Sequence, residues 1–201
     1  MAESFFWIGN HPGLDFLNTE AVDHDGARVE LLGSWHDVVA WAEAAGVVTT
    51  TPDDAHSAPT DRQARSALHW ARMLRAGARQ ALDPEANDPV AGTDTLAETV
   101  ADVPVRLVYR PDAQRGTPPV GTDNPIDTLR LALALAVLDA TRLDRSRVRR
   151  CESEQCVLVF YDTSKNRSRR WCDMAACGNR AKAAAHYQRL RQSRRPRQRA
   201  S

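Results

Sequence analysis

All four cysteines of this 201-residue chain fall between positions 151 and 177, in the pattern Cys151-x4-Cys156-x15-Cys172-x4-Cys177. Two close pairs separated by a hairpin-length segment can turn four thiolates toward one point, as a tetrahedral Zn²⁺ requires. The competing arrangement, two disulfides, belongs mostly to small secreted domains. The opening Met1-Ala2-Glu3-Ser4 has no basic stretch ahead of an apolar core, so no secretion signal is expected. The cysteines are therefore expected to be reduced, in the cytoplasm, and to hold zinc. Four thiolates leave no coordination position open, and no nucleophile–base pair is visible in the N-terminal half, so no enzyme is expected. His186 is at most a spare ligand.

Around the cysteines stand Phe160-Tyr161-Asp162-Thr163-Ser164, then Asn166-Arg167-Ser168-Arg169-Arg170-Trp171-Cys172, then Cys177-Gly178-Asn179-Arg180-Ala181-Lys182. Over roughly 147–192 this resembles the CGNR zinc finger, a DNA-binding module at the C-terminus of bacterial transcription regulators induced by stress. Its usual companion is an N-terminal ABATE domain, whose opening motif Leu14-Asp15-Phe16-Leu17-Asn18-Thr19 resembles. The resemblance implies a DNA partner and a role in transcription. The residues by themselves support a zinc module on a basic, polyanion-binding segment.

Charge is divided sharply along the chain. Residues 145–201 hold 16 Lys and Arg against four acids, a net of +12, whereas 1–144 hold 11 against 22, a net of −11. A nucleic acid would be attracted to the C-terminal part and repelled by the rest. The alternative is a dipolar protein whose halves pair with each other or with a second copy. An apolar content of 42% suits a real core, and no apolar run reaches the ~18–20 residues needed to cross a bilayer.

Three helices should build the N-terminal domain, 1–144, with a core of its own. The first runs from an N-cap at Ser34 to a stop at Gly46, with the stripe Trp35, Val38, Val39, Ala42 and Ala45. The second starts at Thr60, where Gln63 completes a capping box, and runs to about Ala81; its arginines read as a solvated face. The third spans Ile126–Leu143 and, apolar on nearly every side, reads as a buried central helix. Phe5 to Ile8 should pack as core, that run and 14–19 together form either a strand pair or a short helix, and His11 and Asp15 read as structural or exposed and not as pocket-lining. Asp83 to Thr93 reads as a connection, 95–101 as a short helix, 103–109 as a strand and 110–125 as a mobile loop. The fold class is α+β: a mostly helical domain with a few short strands, then a treble-clef-like finger of knuckle, β-hairpin and helix.

In the finger, 145–192, the run 157–161 should pair with a returning strand at 167–171, and a helix should open at Cys177. That helix carries Lys182, Arg189 and Arg191, with Tyr187 and Leu190 read as core. The basic tail, 193–201, should be disordered by itself. Candidate nucleic-acid contacts are Arg167, Arg169, Arg170, Arg180, Lys182, Arg189, Arg191, Arg194 and Arg195. A four-thiolate site carries excess negative charge and needs nearby cations, so Arg180 has a structural role as well-founded as a DNA role. The first functional reading is a DNA-binding transcription regulator whose N-terminal domain senses a small-molecule effector or forms a homodimer. The others are a zinc-stabilised protein-interaction or RNA-binding module, and a thiol redox sensor.

Overall fold

The computed structural model describes residues 5–22, 27–48, 59–107, 120–122 and 124–193. Arg194, Arg195 and most of the 110–125 loop lie outside them. The described part is mostly helical, with three two-stranded antiparallel sheets.

The undecided stretch after the aromatic run is a helix, α1 (Pro12–Leu17). Pro12 presets the first helical residue, and the His11 ring accepts the Gly13 N–H while its far nitrogen meets Asp139 at 3.1 Å. Asp15 turns back to accept the N–H groups of Ile8 and Gly9, and burial pushes its carboxyl up despite those bonds. Both residues are thus structural. The aromatic run is only partly core: Phe6 and Trp7 are exposed at the surface, with Trp7 stacked on the buried Trp41. A hairpin of β1 (Glu20–Val22) and β2 (Arg28–Glu30) follows, which the sequence did not announce.

Helix α2 (Trp35–Ala44) starts on a reciprocal Ser34–Asp37 capping box, and Gly46 sits just beyond its end at φ +66°. Helix α3 (Asp61–Leu82) starts on the Thr60–Gln63 box and buries Ala67, Trp70, Ala71, Leu74, Ala78 and Leu82. Its arginines are not all solvated. Arg75 is 5% exposed and pairs with Glu30. Arg79 donates to the carbonyls of Leu17, Glu20 and Val157. The Arg79 guanidinium replaces water for backbone oxygens that the packing has covered.

Helix α4 (Pro89–Ala101) begins earlier than the sequence reading has it, on an Asp88 cap with Pro89 in the first position. Pro89 and Gly92 look like breakers but serve the helix. The proline occupies the one turn where its missing N–H is harmless, and the glycine lets α4 touch α3. A Cβ on Gly92 would lie 2.4 Å from the Gln80 Cβ and 2.5 Å from the Ala81 nitrogen. The expected strand at 103–109 reduces to β3 (Arg106–Leu107), paired with β4 (Val120–Gly121); positions 108 and 109 lie outside the described residues.

Helix α5 (Pro125–Ala140) is one-sided, not buried all round. It covers Leu129, Leu133, Ala134, Val137 and Ala140, but leaves Leu135 40% and Leu138 37% exposed. Helix α1 crosses it at Gly13, where a Cβ would sit 2.4 Å from the Ala136 carbonyl oxygen.

Strands β5 (Val148–Arg150) and β6 (Val159–Tyr161) pair with each other, Val148 opposite Tyr161 and Arg150 opposite Val159. The hairpin therefore brackets the first cysteine pair, and 167–171 is not its returning strand. The Asp162 carboxylate takes the N–H groups of Ser164 and Arg169, and the Ser164 hydroxyl takes that of Ser168. Those side-chain turns consume the donors a ladder would need.

The helices' apolar core does not stop at Asp144. Val148 and Val159 belong to the same buried cluster as Leu14, Leu17, Leu74 and Leu133, with Tyr161 packed against it. The fully buried Asn18 bonds both backbone groups of Val159 at 2.9 Å, as a neighbouring strand would. Tyr161 N–H reaches the Gly9 carbonyl, and Arg150 meets Asp83 and Glu85 at 3.5 and 3.3 Å. The expected self-sufficient core of 1–144 is, in packing, continuous with the finger through Val148 and Val159.

Candidate metal centre and cationic surface

The metal centre is assembled from three local devices. The β5/β6 hairpin delivers the first pair, with Cys151 N–H bonded to the Leu158 carbonyl and Cys156 N–H to that of Ser153. A link from Glu152 N–H to the Arg170 carbonyl brings in the strand-like approach to Cys172. Asp173 then caps a π turn, Met174–Gly178, closed by Gly178 N–H on the Asp173 carbonyl. An i→i+5 turn spans the same five-residue step that separates Cys172 from Cys177.

All four cysteines are buried and free, and their sulfurs lie within 4.8 Å of one another. Cys156 Sγ to Cys172 Sγ is 3.7 Å and Cys172 Sγ to Cys177 Sγ is 3.5 Å. A disulfide needs about 2.05 Å, whereas a tetrahedron of sulfurs about 2.3 Å from a central Zn²⁺ has edges of about 3.8 Å. The donor set fits zinc, which Cys151, Cys156, Cys172 and Cys177 would hold as a closed structural site. The electrostatics agree. Hydrogen bonds from Cys156 and Cys172 draw the Cys151 thiol far down, and those same bonds push Cys156 and Cys172 up. Thiolates packed this closely repel one another, and a divalent cation at their centre offsets that repulsion. His186 stands outside this group, exposed on the following helix.

Apolar residues from both ends of the chain floor the centre: Leu158 and Phe160, with Ala21 and Ile8 from the N-terminal segment and Trp171 at the edge. Arg169 lies over the Phe160 ring at 4.1 Å and donates to the carbonyls of Trp171, Ile8 and Cys172. Arg170 pairs with Glu152 and covers Trp171. Arg167, in the left-handed region at φ 52°, bonds the Ser146 hydroxyl and meets Asp144 at 3.6 Å. Arg180 donates to Cys177 Sγ at 3.1 Å, which raises its own pKa and offsets thiolate charge. Four of the sequence's nucleic-acid candidates thus have partners inside the molecule.

Lys182, Arg189 and Arg191 lie on α6 (Asn179–Ser193), and among the described residues none of the three forms an ion pair. Tyr187 is 67% and Leu190 42% exposed, so neither is core. The i, i+3 spacing suggested packing, but both side chains face outward, and among the described elements α6 lies mainly against the Met174–Gly178 turn.

The sequence profile of a family described as "Putative stress-induced transcription regulator", ABATE, matches residues 10–147, and that of the CGNR zinc finger matches 147–190. The chain belongs to the ABATE family. It carries the CGNR zinc finger directly after the ABATE region, so the coarse reading as a regulator with a zinc site stands. No curated protein matches it in sequence. No helix among the described residues is long and apolar enough to cross a membrane.

Several residues that shape the ABATE–finger junction gave no sequence signal. Asn18 and Arg79 are ordinary polar residues until Val159 and Val157 are brought beside them. Asp173 could have been found, as an aspartate three residues before Ala176 in an Ala-rich run. The ABATE region also has a cleft of about 590 Å³ between α3, α4 and the start of α5. Trp70 lines it with Arg130 over its ring at 4.7 Å, and Glu98, Asp102 and His69 stand at its rim.

Proposed function

We propose that this ABATE-family protein is a transcription regulator that binds DNA through the C-terminal zinc module. Residues 1–144 act as the sensing or dimerising part, 145–192 as the DNA-binding finger and 193–201 as a basic extension. The carrying observation is the charge division of +12 against −11, together with the exposed Lys182, Arg189 and Arg191, which form no ion pair among the described residues. The zinc is structural, so no chemistry at the metal is invoked. A small effector would enter the cleft beside Trp70 and Arg130, and exposed Leu135 and Leu138 on α5 offer an apolar surface to a second copy.

The test is the salt dependence of DNA binding by the zinc-loaded full chain. Each phosphate contact contributes about −0.9 to the slope of log K against log salt. Replacing Arg189 and Arg191 by Ala should weaken binding to every sequence and flatten the slope by about two units, with zinc content unchanged. A slope near zero in the parent protein rules the reading out.

A further inference from the structure

Helix α6 has an arrangement that a generic basic patch does not. Its 15 residues extend about 22 Å, and of those from 179 to 191 only Ala181 and Ala185 are even half-buried. Every other side chain in that span is exposed. At about 100° per residue the helix divides into four sides. Ala181, Ala185 and Gln188 form the back, which holds both half-buried positions. Lys182, His186 and Arg189 form one flank and Arg191 the opposite flank, on which Arg180 is already engaged by Cys177 Sγ. Between the two cationic flanks runs a strip of Ala183, Tyr187 and Leu190.

We propose that this strip enters the major groove of duplex DNA, with the two cationic flanks meeting the two phosphate walls. The inference rests on the nucleic-acid reading above and gives it a binding mode. A helix about 10–12 Å across fits a groove about 12 Å wide, and small and apolar side chains on the leading side suit base edges and thymine methyl groups. The segment 174–193 contains four cations and no acid, so two copies of α6 packed along the strip would set like charges side by side. The charge pattern matches a polyanion with two walls. An isolated helix of this length is marginal in water, so its helicity should rise when the groove encloses it.

Two comparisons on the zinc-loaded full chain test this. The first measures affinity for a 20-base-pair mixed-sequence DNA duplex against the RNA duplex of the same sequence. Both carry the same charge, but the A-form major groove is too deep and narrow to admit the helix. The second compares Ala183→Glu, on the strip, with Gln188→Glu, on the back; both positions are exposed and the charge change is identical. Expected are a preference of at least about fivefold for the DNA duplex and a loss at least about fivefold greater for Ala183→Glu, as base-edge contacts of about 1–3 kcal/mol imply. Zinc content, measured alongside, should be unchanged in both variants. Equal affinity for both duplexes with equal effects of both variants would overturn the groove assignment and leave the nucleic-acid reading intact. No binding to either duplex at low salt would overturn both. Salt-sensitive self-association without DNA, lost in Ala183→Glu alone, would assign the strip to a second copy and overturn the proposal.

Discussion

Asn18 shows how much one side chain can hold. It is fully buried and answers both the N–H and the carbonyl of Val159, a residue 141 positions away. Asn18→Asp keeps the shape but removes the donor and places a carboxylate against a carbonyl oxygen. The loss should be about 3 kcal/mol, the upper range for a buried polar group left unmatched. Asn10 makes a similar bond to the Tyr161 carbonyl in an exposed setting, so Asn10→Asp should cost less than about 1 kcal/mol. Thermal melting of the two variants checks this, and equal losses would refute the role given to burial. Resemblance picked out the Leu14–Thr19 motif in the sequence, but the use of its asparagine was invisible because the partner comes from the far end of the chain. The four cysteines were legible for the opposite reason: both pairs are local, and their spacing alone implies convergence. The internal partners of Arg169 and Arg170 were invisible because pairing is a tertiary property; a sequence shows charge and not what neutralises it.

At the level of elements, helices with capping boxes were read to within a residue or two, since Ser34–Asp37 and Thr60–Gln63 fix their own helix starts. Elements defined by contact were not. Helix α4 reaches back into the stretch that reads as a connection, because the missing Cβ of Gly92 is what admits α3. The finger's hairpin was assigned the wrong partner because 148–150, also β-capable, precedes the first cysteine. The α1–α5 crossing is a case where contact dominates and can be measured. Gly13→Ala drives a Cβ into the Ala136 backbone and should cost about 3 kcal/mol. Gly46→Ala meets nothing within 4 Å and pays only for its positive φ, about 1 kcal/mol. Denaturant unfolding of both distinguishes the two mechanisms, and a Gly13→Ala loss no larger than that of Gly46→Ala would mean the helices separate freely.

For the whole molecule, the charge division along the chain does not coincide with a division of the core. The acidic ABATE region and the basic finger are joined by Asn18, Arg79 and Arg169, and by an apolar cluster running from Leu14 through Val159. Ile8 and Ala21 also help floor the cysteine centre. Zinc should therefore stabilise the entire chain and not the finger alone. Calorimetric unfolding of the zinc-loaded full chain, before and after chelation, tests this most directly. One cooperative transition is predicted, and it should move down as a whole by at least about 10 °C. Structural zinc is worth several kcal/mol or more, and at this size each kcal/mol is about 2–4 °C. Two transitions, the larger of them unmoved by chelator, would contradict the account.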